Sequence, residues 1–330
     1  NDNSALCGPL GSADRVKEGQ HKGQKPDASF GMRSGDCILP VSLQYGRHAF
    51  AESVLIDQEF FCTMGVNVLI KIEYDGTDFS GWQIQPDVRT VQGEIEHVLR
   101  YIAGEPVHIH GTSRTDAGVH ALGQCATFEW NSNMPVEKLP EVMNRRFGAG
   151  GEGRSGAPGD IRIISAEVMP DDFHARFDAR SREYRYFIHF RKDPFCEKFS
   201  YRMRYPLDIE KMNEAAGHLL GEHDFSCFEK VGGNNATSIC TVTEAVWKTY
   251  RPMHADMMGF PCEEGDYIVF RIRANRFLRN MVRAIAGSLI EVGRGKKEPS
   301  WITELIASGS RSAAGQSVPG HALFFTGAEY

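Results

Sequence analysis

VNVLIKIEYDGTDFSGWQIQPDVRTVQGEIEHVLRYI, residues 66–102, changes its period partway along. At first Val68, Ile70, Ile72 and Tyr74 fall on one face, the period-2 pattern of a half-buried strand. Further on, Val91, Ile95, Val98, Leu99 and Ile102 recur at helical spacing behind Thr90, which suits a helix start. The stretch between, DGTDFSGWQIQPD, is a turn-rich loop with two aromatics. A strand and a helix of this kind need a common core, and the remaining chain repeats the mixture. VHIH (107–110), GQCATFEW (123–130), REYRYFIHF (182–190), AVWKTY (245–250) and YIVFRIRA (267–274) read as strands, and Asp208–Leu220 as a helix. Strands and helices alternate without a clean βαβ period. The pattern predicts an α+β protein with mainly antiparallel sheets flanked by helices.

One more helix is expected over Asn275–Val292. Phe277, Met281, Ala284, Ile285, Ser288 and Val292 fall on one side at 100° per residue, and Arg276, Arg279 and Arg283 on the other. With Arg271 and Arg273 on the preceding strand, the spacing predicts a single arginine-lined surface.

The 330 residues divide by this reading into three parts. Residues 1–63 are polar and rich in Gly and Pro, with little periodicity; they read as a poorly ordered, dispensable extension, with Met64 a sensible start codon. A first α+β domain is expected over 64–168 and a second over 169–330, with an active-site cleft between them. GAGGEGRSGAPGD (148–160) lacks the ending of a phosphate-binding P-loop and reads as a flexible connection.

Composition narrows the function. Apolar residues at 41% and charged residues at 24% are globular values. No apolar run approaches the ~20 residues of a membrane span. The N-terminus has no basic region leading into an apolar segment, so secretion is not expected. Eight cysteines (7, 37, 62, 125, 196, 227, 240, 262) are scattered without a CxxC, which favours reduced thiols in a cytoplasmic protein and argues against zinc. The net charge is −6, yet 176–204 holds nine basic and four acidic residues, and 271–297 holds eight basic and one acidic. Two concentrated basic stretches in an acidic chain suggest a surface for a polyanion.

GTSRTDAGVHALGQ (111–124) sets Arg114 and Asp116 one residue apart among small residues. It resembles the active-site motif of the tRNA pseudouridine synthase A family, in which RTDxGVHA surrounds the nucleophilic aspartate. EYDGTDFSGWQIQPDVRTVQ (73–92), DDFHARFDARSREYRYFI (171–188), ANRFLRNMVRAIAGSLIEVG (274–293), GEHDFSCF (221–228) and ALFFTGAEY (322–330) fall in the family's order, so the resemblance covers about 66–330. It implies isomerisation of uridine to pseudouridine at positions 38–40 of the tRNA anticodon stem-loop, by a cytoplasmic homodimer without cofactor or metal.

Residue by residue, Asp116 matches the nucleophile, whose carboxylate serves equally a ribosyl adduct, a C6 adduct or elimination to a glycal. An anion that must persist in an enclosed site needs a cation beside it. Arg283 matches the arginine that pairs with it. Arg114 matches the arginine that helps extrude the target nucleotide. Tyr184 matches the tyrosine that stacks on the flipped uracil, with a part in C5 proton removal. Gly118 and Gly111 would let the loop approach RNA backbone. His120, Arg276 and Arg279 join the substrate-binding set, and Phe173 and His174 either pack the site or touch RNA. Two positions depart from the family: Ser113 stands where many members have glycine, and Cys240 where many have an arginine that positions RNA.

Three rivals remain: an RNA-binding protein without catalysis, a metal-dependent hydrolase built on His108, His110, His120 and Asp116, and a pseudouridine synthase for another RNA.

Overall fold

A computed structural model describes residues 65–148, 159–230, 232 and 236–330. The extension expected over 1–63, its boundary at Met64, and nearly all of the Gly-rich segment 148–160 lie outside the described residues. The first half of the chain supplies β1 (Val66–Tyr74), α1 (Val91–Ala103), β2 (His110–Gly111), β3 (His120–Trp130), α2 (Leu139–Gly148) and β4 (Ile161–Met169). The second supplies β5 (Ser181–His189), β6 (Tyr201–Arg202), α3 (Ile209–Gly217), β7 (Gly221–Asp224) and β8 (Ile239–Thr249). After these come α4 (Met253–Met258), β9 (Tyr267–Ala274), α5 (Met281–Gly293), α6 (Trp301–Ser308) and β10 (Leu323–Glu329).

The strands join in one sheet of order β4-β1-β3-β10-β5-β9-β8-β7, with β2 beside β3 and β6 beside β5. Among the described residues, only the β10–β3 and β5–β6 pairings are parallel. The fold is α+β, with a mainly antiparallel sheet and flanking helices. The boundary expected at 168/169 falls before the last residue of edge strand β4, while β10 returns from the end of the chain to lie between β3 and β5. Strands from both halves therefore share one sheet, and β10 is the seam.

Local chemistry accounts for the elements the periodicity predicts. The Thr90 hydroxyl accepts the Gly93 amide at the start of α1, and Gly104 closes the helix in the left-handed region that only glycine enters freely. Val91, Ile95, Val98 and Leu99 are fully buried along its inner face, each burial contributing about 1.5–3 kcal/mol.

Three expectations are corrected. VHIH is not a strand, since only His110–Gly111 pair with β3. The side chains of α1 take the backbone groups a ladder would have used: the Ile109 amide donates to Glu96 and its carbonyl accepts from Gln92.

The last long helix begins at Met281, not at Asn275. Asn280 has φ +65°, a left-handed backbone that a helix cannot run through. Residues upstream are bonded elsewhere: the Asn275 amide and side chain pair with the Thr241 backbone, and the Arg279 carbonyl takes the Lys230 amide. Arg276 and Arg279 therefore lie on a loop, and only Arg283 is on the helix.

Arg271 and Arg273 do not extend that surface. Strand alternation turns them to the other face of the sheet from Ile272, where they meet Glu183 at 2.6 Å and 3.0 Å. Burial works against that carboxylate's charge, yet hydrogen bonds from Arg271, Arg273, Thr326 and Arg185 hold its pKa down to about 2.

Candidate active site

Asp116 sits at the tip of the loop between β2 and β3, which the 73–82 segment cradles. The Phe79 carbonyl accepts the Gly118 amide, and the Thr115 carbonyl accepts the Trp82 amide. The buried Tyr74 hydroxyl meets Thr115 Oγ1 at 2.8 Å. Gly118 takes φ +74°, which lets the chain fold back so that the Val119 amide reaches the Asp116 carbonyl. The loop is also pressed on closely. A Cβ on Gly76 would stand 2.0 Å from the Val119 carbonyl oxygen. Gly76→Ala should therefore destabilise the fold by about 1–3 kcal/mol, seen as a lower urea midpoint. Gly217, at the end of α3, faces open space, and Gly217→Ala is the control expected to be neutral or stabilising.

Arg283 arrives from the first turn of α5. Its Nη1 donates to Asp116 Oδ2 at 2.9 Å and its Nε to the Val318 carbonyl at 2.8 Å. The segment bearing Val318 is locked in turn: the Gly315 amide donates to Ser288 Oγ, and Asn280 and Arg311 both donate to Ser317 Oγ. A Cβ on Gly287 would lie 1.9 Å from the Gln316 carbonyl oxygen, so only glycine lets α5 touch this segment.

Tyr184, on β5, completes the floor. Its ring is 5% exposed, edge-on to Phe277 and tilted against Phe325. Its hydroxyl meets Ser113 Oγ at 2.7 Å. Burial is the main cause that pushes the phenol up to about 12, with the Asp116 charge adding to it. At neutral pH it is a neutral hydroxyl. Ser113, one of the two departures from the family pattern, is thus the partner of this hydroxyl. The other, Cys240, is fully buried, with burial raising its thiol to about 11.

Together Arg114, Thr115, Asp116, Tyr184, Phe277, Asn280, Arg283 and Leu323 line a cavity of about 40 Å³. Asp116, Arg283, Tyr184 and Arg114 thus come together as the sequence predicts. Phe277, Asn280, Leu323 and the Val318 carbonyl join them without a sequence signal that marks them as site groups. A carbonyl leaves no residue-type signal.

The other expected residues lie outside the cavity lining. His120 is 1% exposed; its Nδ1 accepts the Gly76 amide and its Nε2 lies 2.9 Å from the His321 carbonyl. Burial lowers its pKa, in keeping with a neutral ring that fastens the loop. Gly118 shapes the loop. Phe173 packs on Tyr330, and His174 lies against His110 and Phe177. Arg276 is near Arg176, and Arg279 is exposed on the loop before α5.

The histidines of the hydrolase reading are dispersed: His108 pairs with Glu96, His110 stacks on His174, and His120 is walled in. Among the described residues, the group whose ligand atoms lie within 4.8 Å of one another is Asp193, Cys196 and His254. Asp193 there already accepts from Tyr267, His254 and the Phe195 amide, and burial with Asp193 raises the Cys196 thiol to about 12. Among the described residues no helix is long and apolar enough to cross a membrane.

Comparison with known proteins shows the family. A family model described as tRNA pseudouridine synthase matches residues 70–178 and 215–330. The tRNA pseudouridine synthase A of Halalkalibacterium halodurans is 41% identical over 258 residues, 77% of this chain and 89% of that protein. Proteins of the same name from Parabacteroides distasonis (41%, covering 79% and 94%) and Brevibacillus brevis (40%, covering 76% and 94%) match as widely.

Proposed function

The chain belongs to the tRNA pseudouridine synthase family, enzymes that isomerise uridine to pseudouridine in tRNA, and we propose that Asp116 is its nucleophile and positions 38–40 of the anticodon stem-loop its targets. The observation that carries this reading is the 2.9 Å Asp116–Arg283 pair, closed over the buried Tyr184 ring by residues 167 apart in sequence.

The isomerisation breaks the C1′–N1 bond, turns the uracil while it is held, and joins C5 to C1′. Asp116 presents one carboxylate to the sugar or to C6, while Arg283 keeps it oriented and balances its charge. Tyr184 offers the uracil a wall of fixed position. With its phenol neutral, a proton leaving C5 would pass through the Tyr184–Ser113 hydroxyl pair in exchange rather than onto a standing phenolate. Arg114, exposed at the rim, takes the place of the extruded nucleotide. Extrusion costs a few kcal/mol, which phosphate contacts must offset.

His120 and Gly118 act in this reading through the loop, and Arg276 and Arg279 through RNA phosphates beside the cleft. The protein is then a cytoplasmic homodimer in which both copies grip one tRNA, and it requires neither metal nor organic cofactor.

The test is position-by-position mapping of pseudouridine in unmodified tRNA after incubation with the protein. Conversion confined to 38–40 is expected. Conversion elsewhere would keep the chemistry and move the target, and binding without conversion would leave an RNA-binding protein.

A further inference from the structure

The turn 170–178 carries a feature that the cleft does not use. Phe177 is 74% exposed, yet the backbone beneath it is fixed from several sides. Asn67 donates to the carbonyls of Pro170 and Phe173 at 2.8 Å and 2.7 Å. Thr127 accepts the Ala175 amide, Arg182 donates to the Arg176 carbonyl, and Asp178 accepts the His174 amide. A single exposed ring on a braced turn needs no ligand by itself; what surrounds this one decides.

The ring does not stand alone. Its centroid is 4.4 Å from that of His174, which is 5.4 Å from that of His110, with interplanar angles of 42° and 32°. The rings make a tilted file whose outer member is open. Burial first, and then His110, lower the His174 pKa, which keeps that ring neutral at neutral pH.

Cations border the file. The Arg176 guanidinium lies 5.7 Å from the Phe177 ring centre. Burial and the nearness of Arg114 and Arg276 lower the Arg176 pKa, so these three guanidinium groups share one neighbourhood. Among the described residues neither Arg114 nor Arg176 has a carboxylate within ion-pair distance, and Arg114 also lines the cleft. An open aromatic face beside cations is the chemistry that holds single-stranded nucleic acid: base on ring, phosphate on guanidinium. An apolar protein partner would satisfy the ring and leave Arg114 and Arg176 uncompensated.

We propose that Phe177, His174 and His110 form a stacking shelf for an unpaired base of the substrate RNA next to the extruded uridine, with Arg176 on its phosphate. The inference rests on the reading of the protein as a tRNA-modifying enzyme. Extrusion strips the target's neighbours of a stacking partner, and the shelf returns one.

The experiment uses the full chain and an unmodified anticodon stem-loop, intact or with an abasic nucleotide at each position flanking the target. Stacking on a protein ring makes Phe177→Ala and Phe177→Leu raise KM roughly tenfold, with kcat changed less than about twofold, while Phe177→Trp restores KM. An abasic nucleotide at the stacked position raises the wild-type KM comparably and adds nothing in Phe177→Ala. An unchanged KM, an abasic penalty that persists in full in Phe177→Ala, or a lowered melting temperature for that variant would each overturn the shelf. An inactive wild type would instead sink the enzymatic reading beneath it.

Discussion

Asp116→Asn should bind tRNA as the wild type does and form no detectable pseudouridine, a loss of turnover of at least about 10⁴-fold. The substitution changes one atom type and keeps the shape, so the loop loses nothing that holds it. Its backbone bonds to Phe79 and Trp82, and the Asp116 carbonyl bond to Val119, do not involve the side chain. The amide oxygen of Asn can still accept from Arg283. What disappears is the negative charge and the nucleophilicity of the carboxylate. With the Asp116 and Arg283 side chains 29% and 22% exposed, breaking the ion pair alone should cost about 1 kcal/mol or less of stability. A single-turnover assay, a binding isotherm and a melting curve together check this. Residual conversion above about 1% of the wild-type rate would move the nucleophile to another group.

Much of this site is legible in the sequence because its chemistry resides in side chains. Asp116, Arg114, Tyr184 and Arg283 each sit in a motif with a residue-type signature, and β1 and α1 announce themselves by period. The failures share a cause. Arg276 and Arg279 fit a helical wheel that Asn280 interrupts, and one left-handed residue leaves no trace in hydrophobic spacing. VHIH alternates like a strand, but Glu96 and Gln92 on α1 claim its backbone, a tertiary contact that periodicity does not encode. His120 reads as a substrate-binding group within the motif; only the fold shows that the Gly76 amide and the His321 carbonyl enclose it. The Val318 carbonyl belongs to any residue and is invisible until the 311–318 segment is placed.

Arg283 shows the same tension between local rule and site, and it yields the second large effect. A cation in the first turn of a helix faces the positive end of the dipole, which costs a few tenths of a kcal/mol, and no acidic residue shares that turn. The position breaks the local rule for the sake of Asp116. Arg283 also makes two directed bonds at once, Nε to Val318 and Nη1 to Asp116, with the Val318 amide returning a bond to the Arg283 carbonyl. Lysine keeps the charge but not the fork, so it can hold Asp116 or Val318 but not both. Arg283→Lys should therefore fall by roughly 10²–10³-fold in single-turnover rate, and Arg283→Gln at least as far. Both should melt within a few degrees of the wild type, since the Asp116 pair is partly exposed and Gln also removes a cation that opposes the dipole. If charge alone mattered, Lys would stay near the wild-type rate and only Gln would fail. A lysine variant with more than about a third of the wild-type rate would show that the anchoring through Val318 is structural, and that Asp116 needs only a nearby positive charge.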